Sequence, residues 1–348
     1  MNRHRSFGGY REVAGGAQRL LLGLTATAVL VLGMTGTGAA TANADTVTDT
    51  ISLRDDPARM AVSEDGTWVY VVIVDDDEVS VIDAAANDVV ETVKVGEAPF
   101  GVAVSAERSR MYVTNNFDNS VSVIDTAANR VVETITVGMG PLGLTASEDG
   151  SRVYVANYVD DSVSVIDTDT NTPVEIEAVA DGPIAVAVNH DGSRAYVAGH
   201  NDDTVRVIDT ASNSVFATVT VGGGPSDVVV TPDGSRVYVA NLADETVSVI
   251  DTVMNEEIAT VKVGDRPKEV AVTPDGSRLY VTNFGDDSVS VIDTDTNRVL
   301  QTLEVGEGPE GVAVSPDGSR AYVTNHKDDT VSVIDIDYSM CNGSMCFF

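Results

Sequence analysis

Positive charge, cysteine, histidine and long apolar runs are all scarce in this sequence. Lysine and arginine number 21 against 54 aspartate and glutamate, a formal net charge of −33. A surface of that sign repels nucleic acid and anionic membranes, because both are bound through a positive field. It suits cations, basic partners or plain solubility. The two cysteines, Cys341 and Cys346, fall in the last eight residues. The fold cannot depend on them. An oxidising compartment permits them to close a small disulfide loop in a C-terminal tail, and their spacing is not the CxxCH of covalent haem attachment. No GxSxG or HExxH string occurs, which removes the nucleophile elbow and the helical zinc site. Gly222-Gly223-Gly224-Pro225 is glycine-rich, but no Lys-Ser/Thr follows it, so it reads as a connecting loop and not a phosphate cradle. With 43% hydrophobic and 22% charged residues, the remaining composition is that of a globular protein.

The longest apolar run, Leu20 to Met34, has 15 residues, short for a membrane span. Arg3, Arg5, Arg11 and Arg19 precede it, and Ala42-Asn43-Ala44 follows as a small-x-small cleavage site. Residues 1–44 therefore read as a secretory signal peptide cut before Asp45, with an uncleaved anchor as the alternative. No Arg-Arg pair precedes the run, which favours the general export route over the twin-arginine one. Removing the leader's four Arg and one Glu takes the charge to −36. No second long apolar run follows. The mature chain is expected to be a monomer without a membrane span, secreted or held in the cell envelope or at the cell surface.

Internal repetition dominates what is present. Tyr70, Tyr112, Tyr154, Tyr196, Tyr238, Tyr280 and Tyr322 are spaced by 42 residues, and so are the seven prolines from Pro57 to Pro309 and the seven aspartates from Asp83 to Asp335. One unit, PKEVAVTPDGSRLYVTNFGDDSVSVIDTDTNRVLQTLEVG from Pro267, holds four β-branched apolar runs separated by turn residues. That pattern predicts a four-stranded antiparallel meander. Valine and threonine in place of helix formers exclude a helical reading. Both faces of each sheet look apolar, which blades stacked around an axis satisfy. A straight stack would need caps that the sequence lacks. The fold class expected is all-β, a seven-bladed propeller over residues 45–337, followed by a tail over 338–348. The seventh unit stops after its third strand at Asp335, and Asp49-Thr50-Ile51-Ser52-Leu53 matches Glu133-Thr134-Ile135-Thr136-Val137. An N-terminal strand should complete the last blade and close the ring, hiding its edges.

The units resemble those of the YVTN-repeat β-propeller family, through strings such as Tyr112-Val113-Thr114-Asn115, Tyr280 to Asn283 and Tyr322 to Asn325. Blade 1 departs, with Val72-Ile73 for Thr-Asn. Blade 2 has Ala106-Glu107-Arg108 in place of Pro/Glu-Asp-Gly, and blade 4 has Gly199 for Asn. The resemblance implies an exported or cell-surface protein that acts as a binding or interaction module. A shared fold does not by itself assign an activity.

In such a blade the A–B and C–D turns share one face of the ring, and the D–A and B–C loops share the other. The first face is nearly uniform in sequence, its Gly and Asp serving tight turns. The second varies from blade to blade, as an asymmetric ligand site requires. Its candidate binding residues, read as loop positions, are Phe100, Leu142, Ile184 and Lys268 after the repeat proline, and Tyr158, His200, Phe284 and His326 after the repeat tyrosine. Phe100, Leu142, Ile184 and Tyr158 belong to adjacent blades and form a candidate apolar patch; unconstrained drift is the plainer explanation. The B–C loops are acidic. Asp76, Asp77, Asp160, Asp161, Asp286 and Asp287 serve hairpin turns on the plain reading, and weak calcium binding on the sharper one. No other cofactor is called for. His200 and His326 sit three blades apart, too far to share a metal ion. The partner expected is a protein or small ligand of the envelope or medium, and not nucleic acid. An enzyme, lyase-like or redox-associated, with its site on the same face is the alternative, because His200, His326, Tyr158 and carboxylates gather there.

Overall fold

The structure, a computed structural model, describes residues 44–105 and 107–337; the leader through residue 43 and the tail with Cys341 and Cys346 lie outside the described residues. Blade 1 consists of β2 (Pro57–Val62), β3 (Trp68–Ile73), β4 (Glu78–Asp83) and β5 (Asp88–Lys94), strands A to D. The pattern recurs to give 28 strands in seven four-stranded antiparallel sheets. The described residues contain no helix long and apolar enough to cross a membrane.

Burial runs as a gradient through each blade. Strand B is covered on both faces: in Arg152–Asn157 every residue after the first is buried. Strand D is open except for one residue near its end, as in Arg130–Thr136. Strand A is therefore innermost and D outermost. The covering comes from neighbouring blades. Tyr70, 1% exposed, packs in one cluster with Met111, Val113 and Ile124 of blade 2. Tyr322 meets Val69, Val71 and Ile82 of blade 1, which closes the circle. An A–B bulge follows the repeat proline in each blade, as between Pro57 and Met60; proline cannot donate to the ladder, so strand A starts with a kink.

The motif asparagine has a fixed task. Asn115, fully buried, donates to Ser120 at 2.9 Å and Ser122 at 3.0 Å across the B–C hairpin, and accepts from the Gly96 N–H at 3.0 Å. Gly96 must be glycine, because a Cβ there would lie 2.6 Å from the Asn115 side chain. The two irregular blades change several members of the set together. Blade 4 has Gly199 for Asn, Arg206 for the second Ser and Ala180 for Gly, and Arg206 pairs with Asp202 at 2.7 Å. Blade 1 has Ile73, Glu78 and Arg54, and Arg54 and Lys94 both approach the buried Glu78 carboxylate.

Ring closure follows the expected plan with a longer strand. β1 (Thr46–Ser52) pairs antiparallel with β28 (Thr330–Asp335), from Thr46 opposite Asp335 to Ser52 opposite Thr330, with a bulge between Val47 and Asp49. Just before β1, Asp45 is 2% exposed. Its carboxylate accepts from Arg278 Nη1 at 2.6 Å, the Tyr280 hydroxyl at 2.7 Å and the Asp337 N–H at 2.9 Å. Arg278 also donates to the Asp337 carbonyl. Both ends of the described chain are thus locked onto blade 6. Burial, with the Asp45 carboxylate added, pushes the Tyr280 phenol well above its ordinary value.

Candidate functional site

Each strand A begins at the repeat proline, and its next two residues stand at the D–A end of the ring. Phe100, Leu142, Ile184 and Lys268 are therefore strand residues and not loop residues, a correction to the sequence reading. The reason is that the repeat proline already pairs with the end of strand B, as Pro99 with Asn115, so the strand starts there and its successors form the bulge within it. Leu142 and Ile184 are 7% and 4% exposed and belong to one buried cluster, against which Phe100 and Tyr158 pack half-buried. The four do come together, but only Phe100 and Tyr158 present much surface.

The residues after the tyrosines stack in pairs around the rim. Tyr158 lies 6.4 Å from His200, and Phe284 lies 6.0 Å from His326, ring centre to ring centre. His200 Nδ1 is 2.9 Å from the Pro225 carbonyl. His326 Nδ1 is 2.7 Å from Asp56 Oδ1 and 3.7 Å from Glu310 Oε2. Burial works against a charged His326, but the Asp56 hydrogen bond and the Glu310 and Asp56 charges outweigh it and hold the imidazole above its ordinary value. Glu310 also meets Lys268 at 3.8 Å. The face therefore divides into an apolar arc over blades 2 to 4 and a charged arc over blades 6, 7 and 1.

A charged cluster that the sequence reading missed joins the two arcs. Arg59 Nη1 of blade 1 donates to Asp227 Oδ1 of blade 5 at 2.9 Å and to Glu269 Oε1 of blade 6 at 2.7 Å. Arg59 Nη2 donates to the Ser226 carbonyl, and the guanidinium stands 5.7 Å from the Phe100 ring centre. Blades 1, 5 and 6 can meet this way only across the central channel. The other carboxylate oxygens accept the Val270 and Val312 N–H groups, each in the following blade. One guanidinium serves two carboxylates, all three side chains being about nine-tenths buried. Burial and the neighbouring Asp227 push the Glu269 carboxyl up to about 7. Among the described residues, Arg59 Nε has no hydrogen-bond partner.

The loop aspartates fasten blades to one another. Asp77, Asp161 and Asp287 accept the N–H of Ala98, Gly182 and Gly308 in the D–A loop that leaves their own blade. Asp160 and Asp286 accept from Met139 and Asp265 in the loop that enters it. Lys94 donates to the Asp76 carbonyl. Among the described residues, no group of three or more His, Cys, Asp or Glu side chains is placed to hold a metal ion. The opposite face repeats one device: Asp149, Asp233 and Asp317 each hold the hydroxyl two residues before and the Ser two residues after. Those hydrogen bonds hold each carboxyl below the ordinary range.

Residues 47–234, more than half of the chain, match the family model of the YNCE-like beta-propeller. The chain belongs to the YNCE-like β-propeller family. Blades 5 to 7 of this YNCE-like propeller also match, over residues 217–344, the model of the Lactonase, 7-bladed beta-propeller. Among solved structures, a chain of Kuenenia stuttgartiensis hydrazine synthase is similar, at 25% identity and a TM-score of 0.75, over 86% of this chain and 99% of that one. No curated protein matches the sequence.

Proposed function

We propose that this YNCE-like propeller is an exported binding module that engages its partner through the D–A/B–C face. The observation that supports it is the departure of that face from sevenfold regularity: an apolar arc at Phe100 and Tyr158, a charged arc at Lys268, Glu310 and His326, and Arg59, Asp227 and Glu269 between them. Aromatics and arginine are enriched at interface centres, and Phe100, Tyr158 and Arg59 supply them here. The test compares capture from the native envelope by wild type, by Phe100→Asp and Tyr158→Asp, and by Ser235→Lys and Val253→Glu on the opposite face. The first pair should weaken capture at least tenfold and the second pair should leave it intact. The reverse outcome assigns binding to the other face.

A hydrolytic reading is favoured by one observation. The lactonase match falls on the arc that supplies Asp227, Lys268, Glu269 and His326. A carboxyl poised near neutrality suits a general base. Lactone hydrolysis by wild type that Glu269→Gln abolishes supports it, and no turnover by wild type discards it.

A further inference from the structure

Cations on this acidic chain are mostly committed to carboxylates: Arg206 to Asp202, Lys262 to Glu245, Arg278 to Asp45. Arg266 and Lys327 form no such pair among the described residues. Instead Arg266 Cζ lies 5.1 Å and Lys327 Nζ 4.5 Å from the centre of the Phe284 ring, and Lys268 Nζ lies 5.2 Å from the same centre. A ring has two faces, so at least two of the three cations share one. No two of them stand more than about 10 Å apart, roughly the Debye length at 0.1 M salt. Cation–π attraction holds each against the ring but does not neutralise it.

The junction backbone that carries Arg266 is common to all seven blades. The residue before the repeat proline takes a left-handed φ in every blade, and blades 3, 4, 5 and 7 place Gly140, Gly182, Gly224 and Gly308 in it. Blades 1, 2 and 6 place Asp56, Ala98 and Arg266 in it, Arg266 at φ 55°, a region that side chains rarely adopt. At the next junction the glycine makes room for Lys327: a Cβ on Gly308 would lie 2.9 Å from Lys327 Cγ.

We propose that Arg266, Lys268 and Lys327, gathered around Phe284, form a binding site for a compact oxyanion carrying two or more negative charges. Glu310 offsets one of the three cations, so a dianion matches what remains. The guanidinium fork takes two oxygens at once, and the ammonium groups act as point charges. Asp265, Asp286, Glu307 and Asp328 on the flanking loops repel an extended polyanion, which leaves a compact ion as the ligand that fits. The site rests on the reading of this face as the binding face, and gives part of it a ligand chemistry.

The full-length protein is titrated with inorganic phosphate, with citrate and with sodium chloride at matched ionic strength, following backbone amide shifts and melting temperature. Saturable shifts at Phe284, Gly308 and Lys327 are expected with phosphate, citrate or both, and not with chloride; the tighter salt tells a phosphate ligand from a carboxylate one. Arg266→Gly and Lys327→Ala should each weaken binding at least tenfold. Arg266→Gly restores the residue that four other blades use, so its melting temperature should hold or rise, which separates lost binding from lost folding. The proposal falls if neither multivalent anion binds beyond chloride, or if both variants bind as wild type does. It also falls if only vesicles containing phosphatidylglycerol bind, which makes the patch a membrane contact. A negative titration leaves the partner-capture result standing, and loss of capture by opposite-face variants leaves the titration standing.

Discussion

One guanidinium, that of Arg59, faces two carboxylates, so a proton taken up near neutral pH relieves the surplus negative charge of the channel cluster. Glu269 rises from about 4.5 unfolded to about 7 folded. Its contribution to stability is complete below about 4.5 and is lost as pH rises through about 7. His326, raised above 6.5, acts with the same sign at higher pH: its contribution is complete below 6.5 and is lost above its folded value. Glu269→Gln removes the first loss and keeps the second. Between pH 5 and pH 8 the unfolding free energy of wild type should fall relative to Glu269→Gln by on the order of 2–3 kcal/mol, measured by urea titration. A difference that stays flat with pH means Glu269 is ionised throughout. The cluster was written in the sequence as a column: Arg59, Gly101, Gly143, Ala185, Asp227, Glu269 and Gly311 stand one residue after the column that was singled out. Charge in three of seven otherwise small positions was the signal. What the sequence could not show is that Arg59 reaches partners 168 and 210 residues away, since nothing local encodes a distance across a ring.

At the scale of the strand, the repeat period gave every blade its four members, because 42 residues with three fixed markers leave no freedom in register. β1 breaks that pattern. Matching to the other D strands found Ile51 and its neighbours, but the bulge at Val47/Asp49 breaks the alternation that pattern matching follows, and the strand extends back to Thr46. Asp45 was seen only as the residue after a cleavage site. Its partner Arg278 is 233 residues away, and that ion pair is buried. Asp45→Ala leaves the guanidinium, 7% exposed, without its carboxylate, and should cost about 3–5 kcal/mol. Deleting residues 45–53 should cost at least as much, since the ladder along β28 goes too. Melting curves of both variants beside wild type check this; an unchanged midpoint for either removes the clasp from the account of stability. The loop aspartates teach a similar lesson. Their type and spacing suggested hairpin turns, and Asp77 and Asp161 do hold left-handed turn positions; the same carboxylates also accept N–H groups from the neighbouring connection, a role visible only once the blades are set side by side.

For the molecule as a whole, ring and blade number were legible because every blade repeats one solution to covering two apolar faces. The division of one rim into apolar and charged arcs was half legible: variation marked the face, but the depth of Leu142 and Ile184 came only from packing. Net charge acts at this scale as well. With 54 acidic side chains against 21 basic ones, self-repulsion opposes the compact state. Sodium chloride from 0.02 to 0.5 M should raise the melting temperature by several degrees as the Debye length shrinks from about 20 Å to about 4 Å, measured by calorimetry at pH 7. A fall would mean that internal ion pairs dominate over repulsion. The pairing of β1 with β28 also sets a schedule. Thr48 reaches Val333 across 285 residues, so bringing the two ends together costs about 5 kcal/mol of chain entropy before any ladder bond forms. The first strand to be synthesised has no partner until the last one exists. A ribosome therefore releases an open arc of blades with a bare edge at each end, and the time from chain emergence to closure is the interval in which this protein is exposed to edge-to-edge aggregation.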